Sequence, residues 1–193
     1  MAMTKVILGV TLAPLLWGAP MWASTEITLR MKYSGSAIAT QGNTNRDPIK
    51  AGLGTVACKS NLGRCTSQGV GEAALAGPAT CPNGNQGLNL TLLPGTGHAF
   101  TRFEKTGDLL FSEIISETVC YDASTRMQFK SGTQNITGGT GRFAGAIGQL
   151  QFQGTQWVLY VDADGNGFAA QEGTVTGTII LPENGTRERG TAR

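Results

Sequence analysis

The chain has 193 residues, which suits one domain, and its 15 basic and 13 acidic residues give a formal net charge of +2. No basic run interleaves with aromatic residues, so nucleic acid is excluded as an expected partner. The single histidine, His98, and the lack of any Cys-x-x-Cys pair argue against a bound metal, and we predict neither a metal nor a cofactor.

Residues 1–23 are typical of a secretory signal. Lys5 supplies a positive charge, "VILGVTLAPLLW" is a short apolar core, and Ala23 is a small residue suited to cleavage. The apolar core is shorter than the roughly 20 residues that span a bilayer, and no later run reaches that length. We therefore predict a secreted or periplasmic protein without a membrane span after signal removal.

The cysteines follow the signal in an even number, which favours two disulfides in an oxidising compartment. Four cysteines allow three pairings, and the sequence does not decide among them. The preferred pairing joins Cys58 to Cys65 and Cys81 to Cys120.

Alternating apolar and polar residues predict strands. The segment "EITLRMKY" opens the mature chain with a period of two, and "RMQFK" and "QLQFQ" repeat it. "WVLYV" and "GTVTGTIIL" are rich in β-branched and aromatic residues, while "KTGD", "DAST" and "DADGNG" predict turns. No segment keeps helical spacing over three turns. We therefore predict an all-β antiparallel barrel or sandwich over 24–182, followed by a polar tail, 183–193.

Two segments need separate interpretation. Residues 34–87 are rich in small and polar residues and hold three cysteines, so we expect an elaborated, disulfide-bearing loop region with one strand near "GLGTVACKS". "DADGNG", from Asp162 to Gly167, resembles the start of a calcium-binding loop. Position twelve would be Gly173 instead of Glu, and the favoured interpretation is a hairpin turn.

The segment "ITGGTGRFAGAIG" resembles a dinucleotide-binding turn. Polar residues precede it and an alternating strand follows it, whereas that fold needs an apolar strand before and a helix after. A tight corner is the better interpretation. We expect glycines 138, 139 and 141 to adopt positive φ and Phe143 to enter the core.

"GGTGRFAGAIG", with the upstream "TRFEKTGDLLF" and "CYDAST", resembles the corner and hairpin of the allene oxide cyclase-like barrel superfamily, which includes plant dirigent proteins. The upstream segments resemble those of secreted bacterial members, most of which have no assigned function. The resemblance covers residues 88–182 and implies an eight-stranded antiparallel barrel with an apolar-lined cavity. Plant relatives are often trimers, which implies a homo-oligomer. Only the corner residues carry over, and no catalytic role does: Gly138, Gly139, Thr140, Gly141 and Phe143.

The strand "DLLFSEIISETVCYD" offers the strongest candidate site. Strict alternation places Glu113, Glu117 and Tyr121 on one mostly apolar face, which a barrel could turn inward. Carboxylates in such a cavity have raised pKa values. The alternative is an outward face with solvated glutamates. Arg102 on the preceding strand is a further ligand-binding candidate, or the partner of a cross-strand carboxylate.

Two classes of function follow, and the sequence does not decide whether the protein is an enzyme. The first is a secreted barrel that binds a small apolar ligand or serves as an extracellular interaction module. The second, implied by the resemblance, is an isomerase or cyclase of allene oxide cyclase or dirigent type that acts on an unstable apolar substrate in the cavity.

Overall fold

A computed structural model describes residues 24–41 and 49–182, which form nine antiparallel strands and one short 3-10 helix. The predicted signal, 1–23, and the tail, 183–193, lie outside the described residues. The elements are β1 Thr25–Gln41, β2 Ile49–Ser60, β3 Gly63–Thr80, β4 Gln86–Leu92, β5 Gly97–Phe103, β6 Leu109–Asp122, β7 Met127–Gly139, the 3-10 helix Gly141–Phe143, β8 Ile147–Val161 and β9 Gly167–Leu181.

The strands close into a ring of eight positions. Sequence neighbours pair around most of the ring, and β1 pairs with both β2 and β9. The short strands β4 and β5 share one position, because each lies antiparallel between β3 and β6 at a different height. This closure leaves an inward and an outward face on every strand. The prediction of an all-β antiparallel fold is confirmed, and the sheet closes into a ring of eight positions that nine strands occupy.

The prediction of a loop region over residues 34–87 is wrong for the part of this range that the structure describes. β1 continues to Gln41, and β2 and β3 form a hairpin through the pairing of Ser60 with Gly63. These strands lack clear alternation because many inward positions are small, as at Gly69 and Gly71, so their period of two is hidden.

One end of the barrel is plugged by the apolar core. Leu29, Phe103 and Ile179 are almost fully buried there, and they pack around Phe143 of the 3-10 helix. The Phe103 and Phe143 rings have centroids 4.9 Å apart, and the guanidinium of Arg142 lies 4.8 Å and 4.7 Å from them. The corner therefore closes this end, as the sequence predicted for Phe143.

The corner glycines have two different roles. Gly138 and Gly141 have φ values of +136° and +56°, in the region that favours glycine. Gly139 does not adopt positive φ, contrary to the prediction. It excludes a side chain because a Cβ would collide with the Leu109 carbonyl and the Phe143 side chain.

Two disulfides form, with the preferred pairing. Cys58–Cys65 links directly paired residues of β2 and β3, and Cys81–Cys120 ties the loop before β4 to β6. Beside the second disulfide, the carboxylate of Asp122 is fully buried and accepts hydrogen bonds from four side chains, which hold its pKa far below the usual range: Ser124, Thr125, Asn85 and Asn83. The disulfides indicate an oxidising compartment.

Candidate functional site

The barrel interior beyond the plug holds a cavity of about 240 Å³. Its wall is mainly aliphatic, with Met31, Val56, Ile114, Val119 and Val175 among its members. The cavity reaches Ala39 and Ala51 at the end of the barrel opposite the plug. Several polar side chains also line it, and the larger ones come from β1, β6, β7, β8 and β9.

A β-bulge decides which glutamate of β6 enters the cavity. Leu110, Ser112 and Ile114 are buried on the inward face, and the pairing of β6 with β7 then shifts between Ile114 and Ser116. The extra residue reverses the alternation, so Glu117 faces inward and lines the cavity. Glu113 lies on the outward face, between His98 of β5 and Asn135 of β7. The prediction that both glutamates share one face is therefore wrong.

Lys130 and Tyr33 lie in the same cavity as Glu117, and we call these three side chains the polar centre. Lys130 of β7, Gly154 of β8, Gly173 of β9 and Tyr33 of β1 stand directly opposite one another across four strands. The Tyr33 ring extends over the two glycines, because a Cβ at either glycine would collide with its hydroxyl. The glycines thus leave space for the phenol inside the barrel.

Partial burial determines the electrostatics of the polar centre. The Lys130 Nζ lies 3.3 Å from Glu117 Oε1, and their side chains are only 25% and 15% exposed. Burial, together with the negative charge of Glu117, raises the pKa of Tyr33 to about 12. The cavity therefore holds the Lys130–Glu117 ion pair and a phenol that stays protonated at neutral pH.

The other candidates lie elsewhere. Tyr121 stands opposite Gln128 on the inward side, outside the set of residues that line the cavity. Arg102 is exposed on the outer face, and among the described residues its neighbour Glu104 pairs with Arg64 at 3.3 Å instead. The structure therefore brings only Glu117 of the four ligand-binding candidates into the cavity.

The sequence analysis missed Tyr33 and Lys130 as site residues. Alternation in "EITLRMKY" had placed Tyr33 on the buried face of β1, and that signal could have identified it. In "RMQFK", alternation groups Lys130 with Arg126 and Gln128 on the polar side of the strand and predicts that Met127 and Phe129 face the core. Because the barrel interior is itself partly polar, alternation could not identify the inward face of β7.

A wider depression of about 1120 Å³ runs along the wall at the same level and is open to solvent. Exposed polar side chains such as Lys32, Lys59 and Gln153 line it. Tyr33 and Lys130 border both spaces, whereas Glu117 lines the interior cavity alone. The interior cavity is the better site, because its wall is mostly apolar and it contains both partners of the Lys130–Glu117 ion pair.

The predicted hairpin turn between β8 and β9 is confirmed. Asp162 accepts hydrogen bonds from the Asn166 side chain and from the backbone of Asn166 and Asp164, and these bonds lower the pKa of its carboxyl group. Within residues 24–41 and 49–182, no three histidine, cysteine or acidic side chains are grouped to hold a metal. None of the described helices is long and apolar enough to cross a bilayer.

The fold and cavity define a disulfide-bonded, eight-stranded antiparallel barrel with a partly polar interior. No protein-family profile and no curated protein matches the chain. Among solved structures, the pterocarpan synthase dirigent protein GePTS1 matches 87% of this chain and 96% of its own, with 10% identity and a TM-score of 0.25. The strand pairings of the chain itself establish the ring.

Proposed function

We propose that the protein is a secreted or periplasmic member of the allene oxide cyclase-like superfamily, and that it binds a compact, mostly apolar molecule inside the barrel. The observation that carries this proposal is the polar centre of Tyr33, Glu117 and Lys130 in a largely aliphatic cavity. Aliphatic walls favour an apolar body on the ligand, and the polar centre can fix its orientation.

A purely structural role explains the polar centre poorly. Removing an ion pair from water costs several kcal/mol per ion, and well-packed apolar residues of similar volume are often as stabilising or more so. Gly154 and Gly173 have no side chains to pack in the core, and the space that they leave holds the phenol of Tyr33. A filled core would need neither feature. The volume of about 240 Å³ lies just under the usual range for ligand pockets, which favours a compact ligand.

An isomerase or cyclase is the second candidate, and the presence of the Tyr33 phenol and the Glu117 carboxylate in one cavity favours it. With a pKa of about 12, the Tyr33 phenol stays protonated at neutral pH and can donate a hydrogen bond to a developing oxyanion. The Glu117 carboxylate can accept a proton from the substrate. In a rearrangement within one molecule, Glu117 then returns this proton to another atom of the same substrate, so that no atom is gained or lost.

A search for a bound molecule tests the binding proposal. The mature protein is purified under mild conditions, and native mass spectrometry is followed by solvent extraction and analysis of the extract. We expect a stoichiometric compound with an apolar body, and the native mass also reports whether the barrel is a trimer. An empty protein from its natural source, with an extract that contains no enriched compound, contradicts the proposal.

Glu117→Gln and Glu113→Gln form a matched pair for the second test. Both exchange one carboxylate of β6 for an amide, but only Glu117 lines the cavity. Retention of the extracted compound should fall in Glu117→Gln and stay unchanged in Glu113→Gln. If the compound is a substrate, its conversion should be lost in the first variant alone. Equal effects of the two variants would exclude the interior site.

A further inference from the structure

We propose that the molecule bound in the barrel carries a hydroxyl group and that Gln156 of β8 is the specificity-determining residue that recognises it. This inference rests on the proposed binding function and specifies the chemistry of the ligand. It also adds a second polar contact, next to the polar centre.

Three glutamines form a row on the inside of the barrel. Gln128, Gln156 and Gln171 stand directly opposite one another on β7, β8 and β9, and all three line the cavity. The row lies two residues along each strand from the row of Lys130, Gly154 and Gly173. The cavity therefore has a carboxamide wall beside its ion pair.

Gln156 differs from Gln134 and Gln171, which also line the cavity, in its hydrogen bonding. Gln134 accepts a hydrogen bond of 2.9 Å from the Ser112 hydroxyl, and the Gln171 amide donates one of 2.9 Å to the Ser36 carbonyl. Gln156 is only 4% exposed, and its Oε1 has no hydrogen-bond partner among the described residues. Burying a polar atom without a partner is unfavourable, so native structures rarely do so without a reason.

A hydroxyl group is the ligand feature that suits this carboxamide. The unpaired atom of Gln156 is its Oε1, an acceptor, so the ligand must supply a donor. A hydroxyl donates a hydrogen bond without carrying a charge, whereas a ketone can only accept one. A carboxylate only accepts, and the cation of the cavity, Lys130, is already paired with Glu117. A wholly apolar ligand would leave the carboxamide oxygen unpaired.

Three probes of similar shape test the inference: cyclohexanol, cyclohexanone and methylcyclohexane. Each has seven non-hydrogen atoms, and the cavity of 240 Å³ would hold about eight waters at about 30 Å³ each, so all three fit. Binding is measured by NMR titration, with the side-chain amide resonances of Gln156 assigned from their loss in Gln156→Leu. We expect cyclohexanol to bind at least about fivefold more tightly than the other two and to shift these resonances.

Variants of two glutamines distinguish the loss of the ligand contact from a general loss of stability. Gln156→Leu should abolish the preference for cyclohexanol and raise Tm slightly, because it removes an unpaired buried oxygen. Gln151→Leu, an exposed position on the outer face of β8, should leave the preference intact. If Gln156→Leu does not fold, Gln156→Met, which keeps the chain length, takes its place.

The failures are distinguishable. Equal affinities for the three probes, or a preference that survives in Gln156→Leu, overturn the role of Gln156 and leave the binding proposal standing. No binding of any probe, together with an empty protein in the extraction experiment, overturns both.

Discussion

Glu113 and Glu117 face opposite sides of the barrel wall, although both belong to β6 and are four residues apart. Strict alternation would put them on the same side, and the bulge between Ile114 and Ser116 reverses it. The bulge thereby brings one carboxylate to Lys130 and near Tyr33 and leaves the other outside.

The first prediction concerns the pKa of Tyr33. Burial is the larger cause of its rise to about 12, and the charge of Glu117 is the second. Glu117→Gln should therefore lower the pKa of Tyr33 towards 10 without restoring it fully, and Glu113→Gln should leave it unchanged. Ultraviolet titration of tyrosinate, with Tyr33→Phe identifying the signal, measures the change. If the pKa of Tyr33 does not change in Glu117→Gln, the electrostatic effect of Glu117 on Tyr33 is contradicted.

Alkaline stability should depend on the same phenol. Its pKa is about 12 in the folded chain and about 10 when unfolded, so the unfolded state loses the proton first as pH rises. The contribution to folding is fully present below pH 10 and is lost as pH rises towards 12. Its size is on the order of 1–2 kcal/mol, allowing for partial solvation of the ring. Denaturant unfolding should show this loss in the wild type and a smaller one in Tyr33→Phe.

Gly154 should not tolerate even the small side chain of alanine. In Gly154→Ala, the new Cβ would collide with the Tyr33 hydroxyl and with the Glu172 carbonyl. We expect a loss of about 1–3 kcal/mol in the free energy of unfolding and a displaced phenol with an altered pKa. Gly52→Ala is the control, because its nearest neighbour would be 3.9 Å away, and it should change stability by no more than about 0.5 kcal/mol. Equal losses in both variants would contradict this account.

The two disulfides should differ in their contributions. Cys81–Cys120 spans 39 residues and Cys58–Cys65 spans 7, and the loop-entropy relation gives about 4 and about 2 kcal/mol. All four cysteines are buried, so the cavities left by paired alanine substitutions are similar and the difference reflects loop length. Chemical unfolding of the two double variants measures it. The reverse order would show that strain or residual structure dominates.

Arg142 should stabilise the plugged end through stacking more than through its ion pair. Its Nε lies 3.4 Å from Asp108 Oδ2 without hydrogen-bond geometry, while the guanidinium lies over two rings. We expect Arg142→Ala to cost about 2 kcal/mol and Arg142→Lys to recover less than half, because an ammonium group lacks the planar stack. Thermal unfolding gives both values, and Asp108→Asn should cost less than either.

The sequence predicted the barrel well where inward side chains are large. In β1, Leu29, Met31 and Tyr33 alternate with polar residues, and the strand was recognised. In β2 and β3 the inward positions include Gly69, Gly71 and other small residues, so the same geometry left no pattern. These small residues are also the ones that leave room for the cavity.

The site was harder to predict, because its members depend on register. A single extra residue near Ile115 decides that Glu117 and not Glu113 enters the barrel, and nothing in "FSEIISE" marks that residue. The contact of Lys130 with Glu117 depends on the pairing of β6 with β7. The position of Tyr33 depends on the pairing of β1 with β9, which are far apart in the sequence.

The pairing that closes the ring also constrains when the protein can fold. β1 begins at Thr25 and pairs there with Leu181 of β9. The pairing of these two strands therefore cannot form until β9 has been synthesised. Such long-range pairing is entropically costly and slow, and until it forms the edges of β1 and β9 stay open to other chains. The time between synthesis of β1 and arrival of β9 is therefore the period in which this chain is most exposed to misassembly.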